Sequence, residues 1–293
     1  MKLLITGATG YIGFELVKKL QNTYDIVVLV RESSDTQELQ QLNCNIAPYT
    51  HPTDIYDLFN THGFEGVVHL ASNVVVEHDQ NDIAPLIESN ITFGTTLLDA
   101  CKQNHVKWFI NTGTFWQNFE GTTYNPVNLY AATKEAFEVT AKYFTETSDL
   151  TFTTIKLNDT FGPNDPRPKV FNLWTKIVKS GETLGMSAGE QIIDISYIDD
   201  VISAYTRLIE LLRLDPTAYN NKSFVVSNNE RVTLKELANI FQEVTQTQLN
   251  IEWGVRAYRE REVRLPFTQG ICVPGWEQQY TLSKAIHKTV KEL

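Results

Sequence analysis

The chain has 293 residues, of which 42% are hydrophobic and 20% charged, and its formal net charge at pH 7 is −10. That balance suits a soluble globular protein with one large domain or a domain and a smaller lobe, and the acidic charge argues against a nucleic-acid partner, whose phosphates favour a basic surface. Cys44, Cys101 and Cys272 are scattered and odd in number, which fits a reducing compartment, and the longest β-branched apolar run, IVVLV, is strand-sized, so no membrane span is expected. The start of the chain offers no signal-peptide apolar region before Thr6-Gly7, and a cytoplasmic location is expected.

Residues 3–13 read LLITGATGYIG: an apolar run, then Gly7, Gly10 and Gly13 at intervals of three, ahead of the amphipathic stretch FELVKKLQN. A strand–turn–helix with this spacing brings the backbone close to a pyrophosphate, with free N–H groups and the positive helix end facing the anion. The other reading is a turn that only allows tight packing. Because the loop follows the first strand of an alternating pattern, the ligand reading is preferred. The second strand, IVVLV, ends in Arg31, Glu32, Ser33 and Ser34. NAD binders place a carboxylate there for the ribose 2′-hydroxyl, whereas Arg31 and Ser33 suit the 2′-phosphate of NADP. NADP is therefore expected over NAD, with Glu32 as the residue that a one-place shift would make the ribose acid.

Further strands follow at GVVHLA, KWFINT and FTTIKL, with a helix NITFGTTLLDACKQN between the first two. His69 reads as a buried, satisfied strand histidine. The loop VEHDQND carries Glu77, His78, Asp79 and Asp82 but no spaced histidine pair, so no metal is expected. KWFINT runs on into two hydroxyl residues, Thr112 and Thr114. Next comes YAATK, which puts Tyr130 and Lys134 one turn apart on a helix face. A nearby ammonium is expected to lower the phenol from its reference value of about 10, giving a group that exchanges a proton with a ketone or alcohol while a nicotinamide moves the hydride. A second Y-x-x-x-K, Tyr280 and Lys284, lies outside the alternating pattern and reads as packing.

Beyond FGPNDPRPK the alternation loosens, and an Arg-rich stretch, VRAYREREVR, appears near the end. Arg256, Arg259, Arg261 and Arg264 suit a diphosphate. A charge-laced surface segment balanced by Glu260 and Glu262 is the other reading. The expected fold is α/β, a Rossmann-type doubly wound parallel sheet with a smaller C-terminal substrate-binding lobe. The sheet domain is placed at 1–165 with 195–228 returning to it, and the lobe at 166–194 and 229–293.

These motifs together resemble the extended short-chain dehydrogenase/reductase family of nucleotide-sugar epimerases, dehydratases and ketoreductases. TGATGYIG is similar to its dinucleotide loop, VVHLAS to its fourth-strand motif and YAATK to its Tyr-Lys motif. FGP, SYIDDV and VPGWEQQYTLSKAI match later landmarks, the last with its Pro shifted. The resemblance implies cofactor contacts from Gly7, Thr9, Gly10, Tyr11, Ile12, Gly13, Leu70, Ala71, Ser72 and Lys134, with Asn90 steadying the central helix. It implies substrate contacts from Asn73, Thr114, Asp159, Arg259 and Arg261. A hydroxyl at the strand end bonds the reacting oxygen: Thr112 when Trp116 is aligned with the aromatic that follows, with Thr114 as the rival. Departures from the pattern are Gly113 and Thr114 at the acid pair of 4,6-dehydratases, Asp159 for an Asn, Ile193 for an Arg, and Asp54 as a weak substitute for an adenine-binding Asp. NTGTFW, LNDTFGP and REREV are most similar to reductases and epimerases related to CDP-abequose and paratose synthases. The activity implied is NADPH-dependent reduction of a nucleotide-activated 4-keto-(di)deoxy sugar in bacterial surface-polysaccharide synthesis. An NAD-dependent 4-epimerase and a catalytically silent dinucleotide-binding protein are the alternatives. A nucleotide-diphosphate sugar is the implied partner and a homodimer the implied assembly.

Overall fold

The computed structural model describes residues 1–121 and 123–290; residues 291–293, the end of the expected lobe, lie outside it. Six strands of the first half are β1 (Lys2–Thr6), β2 (Asp25–Arg31), β3 (Asn45–Tyr49), β4 (Gly66–His69), β5 (Trp108–Thr114) and β6 (Thr151–Leu157). Between them run α1 (Tyr11–Leu20), α2 (Pro52–Thr61), α3 (Ile83–Ile87), α4 (Phe93–Gln103) and α5 (Leu129–Glu146). The later strands are β7 (Asp159–Phe161), β8 (Leu184–Met186), β9 (Ile192–Ile193), β10 (Ile195–Tyr197), β11 (Lys222–Val226), β12 (Val232–Thr233), β13 (Ile251–Trp253) and β14 (Ile271–Cys272). With them come α6 (Val170–Ser180), α7 (Ile198–Leu214), α8 (Leu234–Thr245) and α9 (Leu282–Thr289).

Eight strands form one parallel sheet in the order β14-β11-β6-β5-β4-β1-β2-β3. Both faces are covered, which is why the central strands read as unbroken apolar runs rather than alternating ones. Leu3, Ile5, Val28, Trp108 and Ile110 pack with Leu16 of α1 and Val201, Tyr205 and Leu208 of α7. Leu4, Val27, Val67 and Phe109 face the other way, onto Phe59 of α2, Leu97 of α4 and Phe137 of α5. The strand order reverses between β1 and β4, and the crevice above that point is where this architecture binds ligands.

The smaller lobe is built from α6, α8 and the short pairs β8–β13 and β9–β12. Phe171 and Trp174 of α6 meet Phe241 of α8, with ring centroids 5.9 and 5.4 Å apart. One boundary needs correction. Ile271–Cys272, inside the segment assigned wholly to the lobe, pairs with β11 and forms an edge of the main sheet. A two-residue exposed strand carries too little apolar pattern to be read as sheet. Among the described residues no helix is long and apolar enough to cross a membrane.

Candidate active site

The glycine loop turns directly out of β1, and its three glycines do different work. Gly7 has φ +73°, and a Cβ there would stand 2.5 Å from the Ala71 amide nitrogen. A Cβ on Gly13 would overlap the Gly7 carbonyl. Both are demanded by the protein's own backbone. Gly10 differs: a Cβ would meet only the Gly7 carbonyl oxygen, at 3.3 Å, and otherwise open space. Gly10 is also the N-cap of α1, with no side chain bonded to the helix's first N–H groups. A bare helix N-terminus behind a residue kept small toward the crevice fits the pyrophosphate of a dinucleotide.

Gly7, Gly10, Tyr11, Ile12, Gly13, Leu70 and Ser72 line one crevice with Thr112, Thr114, Trp116 and Tyr130. The Tyr11 hydroxyl donates to the Pro163 carbonyl at 3.0 Å. Thr9 is exposed at the loop's outer side. Ala71 supports the loop, its amide donating to Thr6 Oγ1 at 3.2 Å.

Tyr130 sits in the first turn of α5, whose N-cap Asn128 accepts from the Ala131 amide at 3.0 Å. The Tyr130 ring meets Trp116 edge-on, centroids 6.3 Å apart. Burial pushes the phenol up to about 12, against the hydrogen bonds of Ser72 and Thr114, which favour the charged form. The same burial pulls the Lys134 ammonium down to about 8, against the pull of Glu138. The expectation that Lys134 would lower the phenol is therefore corrected. Both side chains are buried, and burial is the largest influence on each.

The expected placing of Thr112 beside the reacting phenol is corrected too. Its Oγ1 lies 2.7 Å from the hydroxyl of the buried Tyr205 on α7, while Thr114 is the strand-end hydroxyl bonded to Tyr130. Both threonines point to one side of β5, but Thr114 is its last residue and stands level with the start of α5. The turn Phe115–Gln117 follows Thr114 directly, so Trp116 stands two residues beyond the strand-end hydroxyl rather than four. With Thr114 in that place, the next two residues are Phe115 and Trp116, so a dehydratase acid pair is still missing.

Asn90 lies in a π-helical turn, Glu88–Thr92, ahead of α4. Its Oδ1 accepts from Ser72 Oγ (3.2 Å) and the Asn73 amide (2.8 Å), and its Nδ2 donates to the Asn73 carbonyl (2.9 Å) and Thr133 Oγ1 (3.0 Å). One amide thus ties the loop after β4 to α5. Asn73 is held here through its backbone. His69 is only half satisfied: Nδ1 is 2.8 Å from Thr6 Oγ1, and Nε2 has no partner.

At the end of β2, Arg31 and Ser33 are exposed, and the Arg31 charge reaches Tyr49. The Glu32 carboxylate accepts from Thr50 Oγ1 at 2.8 Å. Asp54 is a helix cap, accepting from the Thr50 and His51 amides at 2.8 Å each, rather than an adenine ligand.

A second crevice adjoins the first through Trp116, Asn158 and Asp159 and is walled by Ile193, Arg259 and Arg261. Asp159 pairs with Lys169 at 2.6 Å. Arg259 is an exposed partner of Glu77 at 3.4 Å. Arg261 reaches Asn125 Oδ1, covers the Phe119 ring at 4.3 Å and keeps a buried Nε without a partner. Arg264 instead lies over Tyr258, at 4.2 Å. Sequence reading missed Lys169 and Arg167, both lining the first crevice. Their signal was the Arg and Lys of PRPK, hidden in a segment that looks like loop. Tyr280 packs on Tyr197 and accepts from Lys288, not Lys284, so the second Y-x-x-x-K is a packing feature. No cluster of metal-ligating side chains occurs among the described residues.

The sequence pattern of the NAD dependent epimerase/dehydratase family matches residues 3–220. The chain is similar to the CDP-abequose synthase of Salmonella muenchen, 26% identical over 302 residues covering 98% of this chain and 96% of the relative. It is similar to that of Yersinia pseudotuberculosis, also 26% identical, over 91% of this chain and 92% of the relative. In fold it is similar to a UDP-glucose 4-epimerase from Thermotoga maritima solved with UDP-glucose (TM-score 0.83, 24% identity, 99% and 98% of the chains covered). A UDP-glucuronic acid 4-epimerase from Bacillus cereus, solved with UDP-glucuronic acid and NAD, gives a TM-score of 0.83 at 18% identity, again over 99% and 98%.

Proposed function

This chain belongs to the NAD dependent epimerase/dehydratase family, and from that premise we propose that it uses NADPH to reduce the C4 ketone of a nucleotide-activated deoxy sugar. The observation that carries the reading is the Tyr130 phenol, held by Ser72 and Thr114 within the crevice lined by the glycine loop. Bound there, a reduced nicotinamide supplies a hydride to the carbonyl carbon. Tyr130, pushed up to about 12, keeps its proton at neutral pH and donates it to the C4 oxygen, so that ketone, hydride and proton give the alcohol. A phenol that stays protonated suits the acid needed for reduction better than the base that would open an epimerisation. Thr114 donates to the same oxygen. Lys134, an ammonium below about pH 8, provides positive charge near the nicotinamide ribose.

NADP is favoured over NAD because the Glu32 carboxylate is engaged by Thr50 while Arg31 is exposed at the strand end. The solved structures that hold NAD favour the second reading, an NAD-dependent 4-epimerase. On the substrate side, Lys169, Arg259 and Arg261 are among the cations lining the two crevices and suit a diphosphate, and the similarity to CDP-abequose synthases makes a CDP-4-keto sugar the first substrate to try. A homodimer through the helical run that carries Asn90, from α3 into α4, and through α5 with Tyr130 accords with the exposed Ile83, Ile87, Val139 and Tyr143.

The test is stoichiometry. With a CDP-4-keto-dideoxy sugar, one NADPH should be consumed per sugar, with NADPH bound more tightly than NADH. In Arg31→Ala that preference should fall roughly tenfold. Turnover without net consumption, together with NADH binding as tight as NADPH, favours the epimerase.

A further inference from the structure

Between the end of β5 and α5 lies a partly buried polar cluster with no part in the chemistry described so far. Gln117 is 0% exposed and bonds in three directions. Its Oε1 accepts from the Thr114 amide at 2.8 Å, and its Nε2 donates to Glu135 Oε2 at 2.7 Å and to Glu138 Oε1 at 2.9 Å. The strand is shaped around this amide: a Cβ on Gly113 would lie 2.8 Å from Gln117 Oε1. Glu138 stands four residues beyond Lys134 on the same face of α5, so the two side chains are neighbours. A single amide is therefore bonded both to the strand end carrying Thr114 and to the acids of the helix carrying Tyr130 and Lys134.

We propose that Gln117 and Glu138 form a positioning unit: the amide fixes the Thr114 strand end against α5 and holds the Glu138 carboxylate one helical turn beyond Lys134, as the charge opposite to that side chain. Placing an ammonium in a water-free layer is costly unless an anion faces it. On its own helix Lys134 faces Glu138. From β4 it faces His69, which burial and the ammonium together hold well below its usual range and therefore neutral. Around Glu138 stand Lys156 of β6, Gln117, Glu135 and Lys134. Burial raises the Glu138 carboxyl, Glu135 raises it further, and the two lysines and the Gln117 hydrogen bond hold it down. Lys156 is itself steadied by Asn118 Oδ1 at 3.1 Å. Lys134, near 8, lies close enough to neutrality for the loss of one facing anion to change its charge, and that loss lowers an ammonium's pKa.

The role assigned to the unit rests on the reading of Tyr130 and Lys134 as the reacting pair, but its electrostatic content can be measured without turnover. Lysine labelled with ¹³C at Cε is titrated by NMR in the ligand-free protein, with Lys134→Met identifying the resonance. The Lys134 midpoint should fall by about one unit or more in Glu138→Gln and stay within about 0.3 unit in Glu135→Gln. Gln117→Met leaves the Glu138 charge in place and should leave the midpoint within about 0.3 unit, and Glu138→Ala serves as the reading if Glu138→Gln does not fold. A shift below about 0.3 unit in Glu138→Gln, or an equal shift in Glu135→Gln, overturns the proposal even if ketone reduction is established. A full shift in a protein that reduces no keto sugar leaves the electrostatic unit standing and sinks only the enzymatic reading.

Discussion

Tyr130→Phe should lower kcat about a thousandfold while the protein still folds and binds its dinucleotide. The substitution removes one oxygen and keeps the ring, so the edge-on contact with Trp116 at 6.3 Å survives. What disappears is the phenol that holds its proton beside the strand-end hydroxyl of Thr114. Thr114→Val should cost about fiftyfold, because the reacting oxygen loses a preorganised donor. Thr112→Val should behave differently. Its hydroxyl partner is the buried Tyr205, so the loss appears as about 1–2 kcal/mol of stability with turnover nearly intact. Thermal melts, cofactor-fluorescence titrations and steady-state rates on the three variants separate these outcomes. Full activity in Tyr130→Phe, or a larger rate loss for Thr112→Val than for Thr114→Val, contradicts the assignment.

The glycine loop offers a second large effect, in which two neighbouring substitutions fail for different reasons. Gly7→Ala should destabilise the protein by about 3 kcal/mol. The backbone is left-handed there, and the new methyl meets the Ala71 amide and cannot be accommodated by a side-chain shift. Gly10→Ala should fold with a nearly unchanged Tm, because its methyl meets only one carbonyl oxygen at 3.3 Å. The same methyl projects where a pyrophosphate would approach, and dinucleotide affinity should fall at least about tenfold. Chemical denaturation and a dinucleotide titration read the two quantities independently. If Gly10→Ala binds the dinucleotide as well as the parent does, the loop is only a tight turn.

The opening LLITGATGYIG was legible because three constraints coincide in it: a strand, a backbone crossing and a bare helix end. The apolar runs of β1, β2, β4, β5 and β6 were equally plain, since burial on both faces leaves little room for polar residues. Other elements carried weaker marks. Strand β3, NIAPY, holds an Asn and a Pro and is an edge strand of the sheet, so it lacks the pattern of its neighbours. Position 112 against 114 could not be settled by spacing, because alternate residues share a strand face and only the depth of each along β5 separates them. Lys134's effect on Tyr130 was misjudged for a related reason. Helical spacing gives adjacency, but the balance of charge against desolvation depends on enclosure by elements far away in the chain. Gln117, which is buried, and Glu138, which is half-buried, look like ordinary helix and loop polar residues until the sheet closes over them.

The most direct measurement follows an atom. The protein is supplied with a CDP-4-keto-dideoxy sugar and NADPH carrying deuterium at the transferable position of the nicotinamide, and the product is examined by mass spectrometry. The account predicts one deuterium at sugar C4 in every turnover, with that transfer reduced about a thousandfold in Tyr130→Phe. Sugar product formed at full rate without deuterium, or deuterium transferred equally well by Tyr130→Phe, would contradict it.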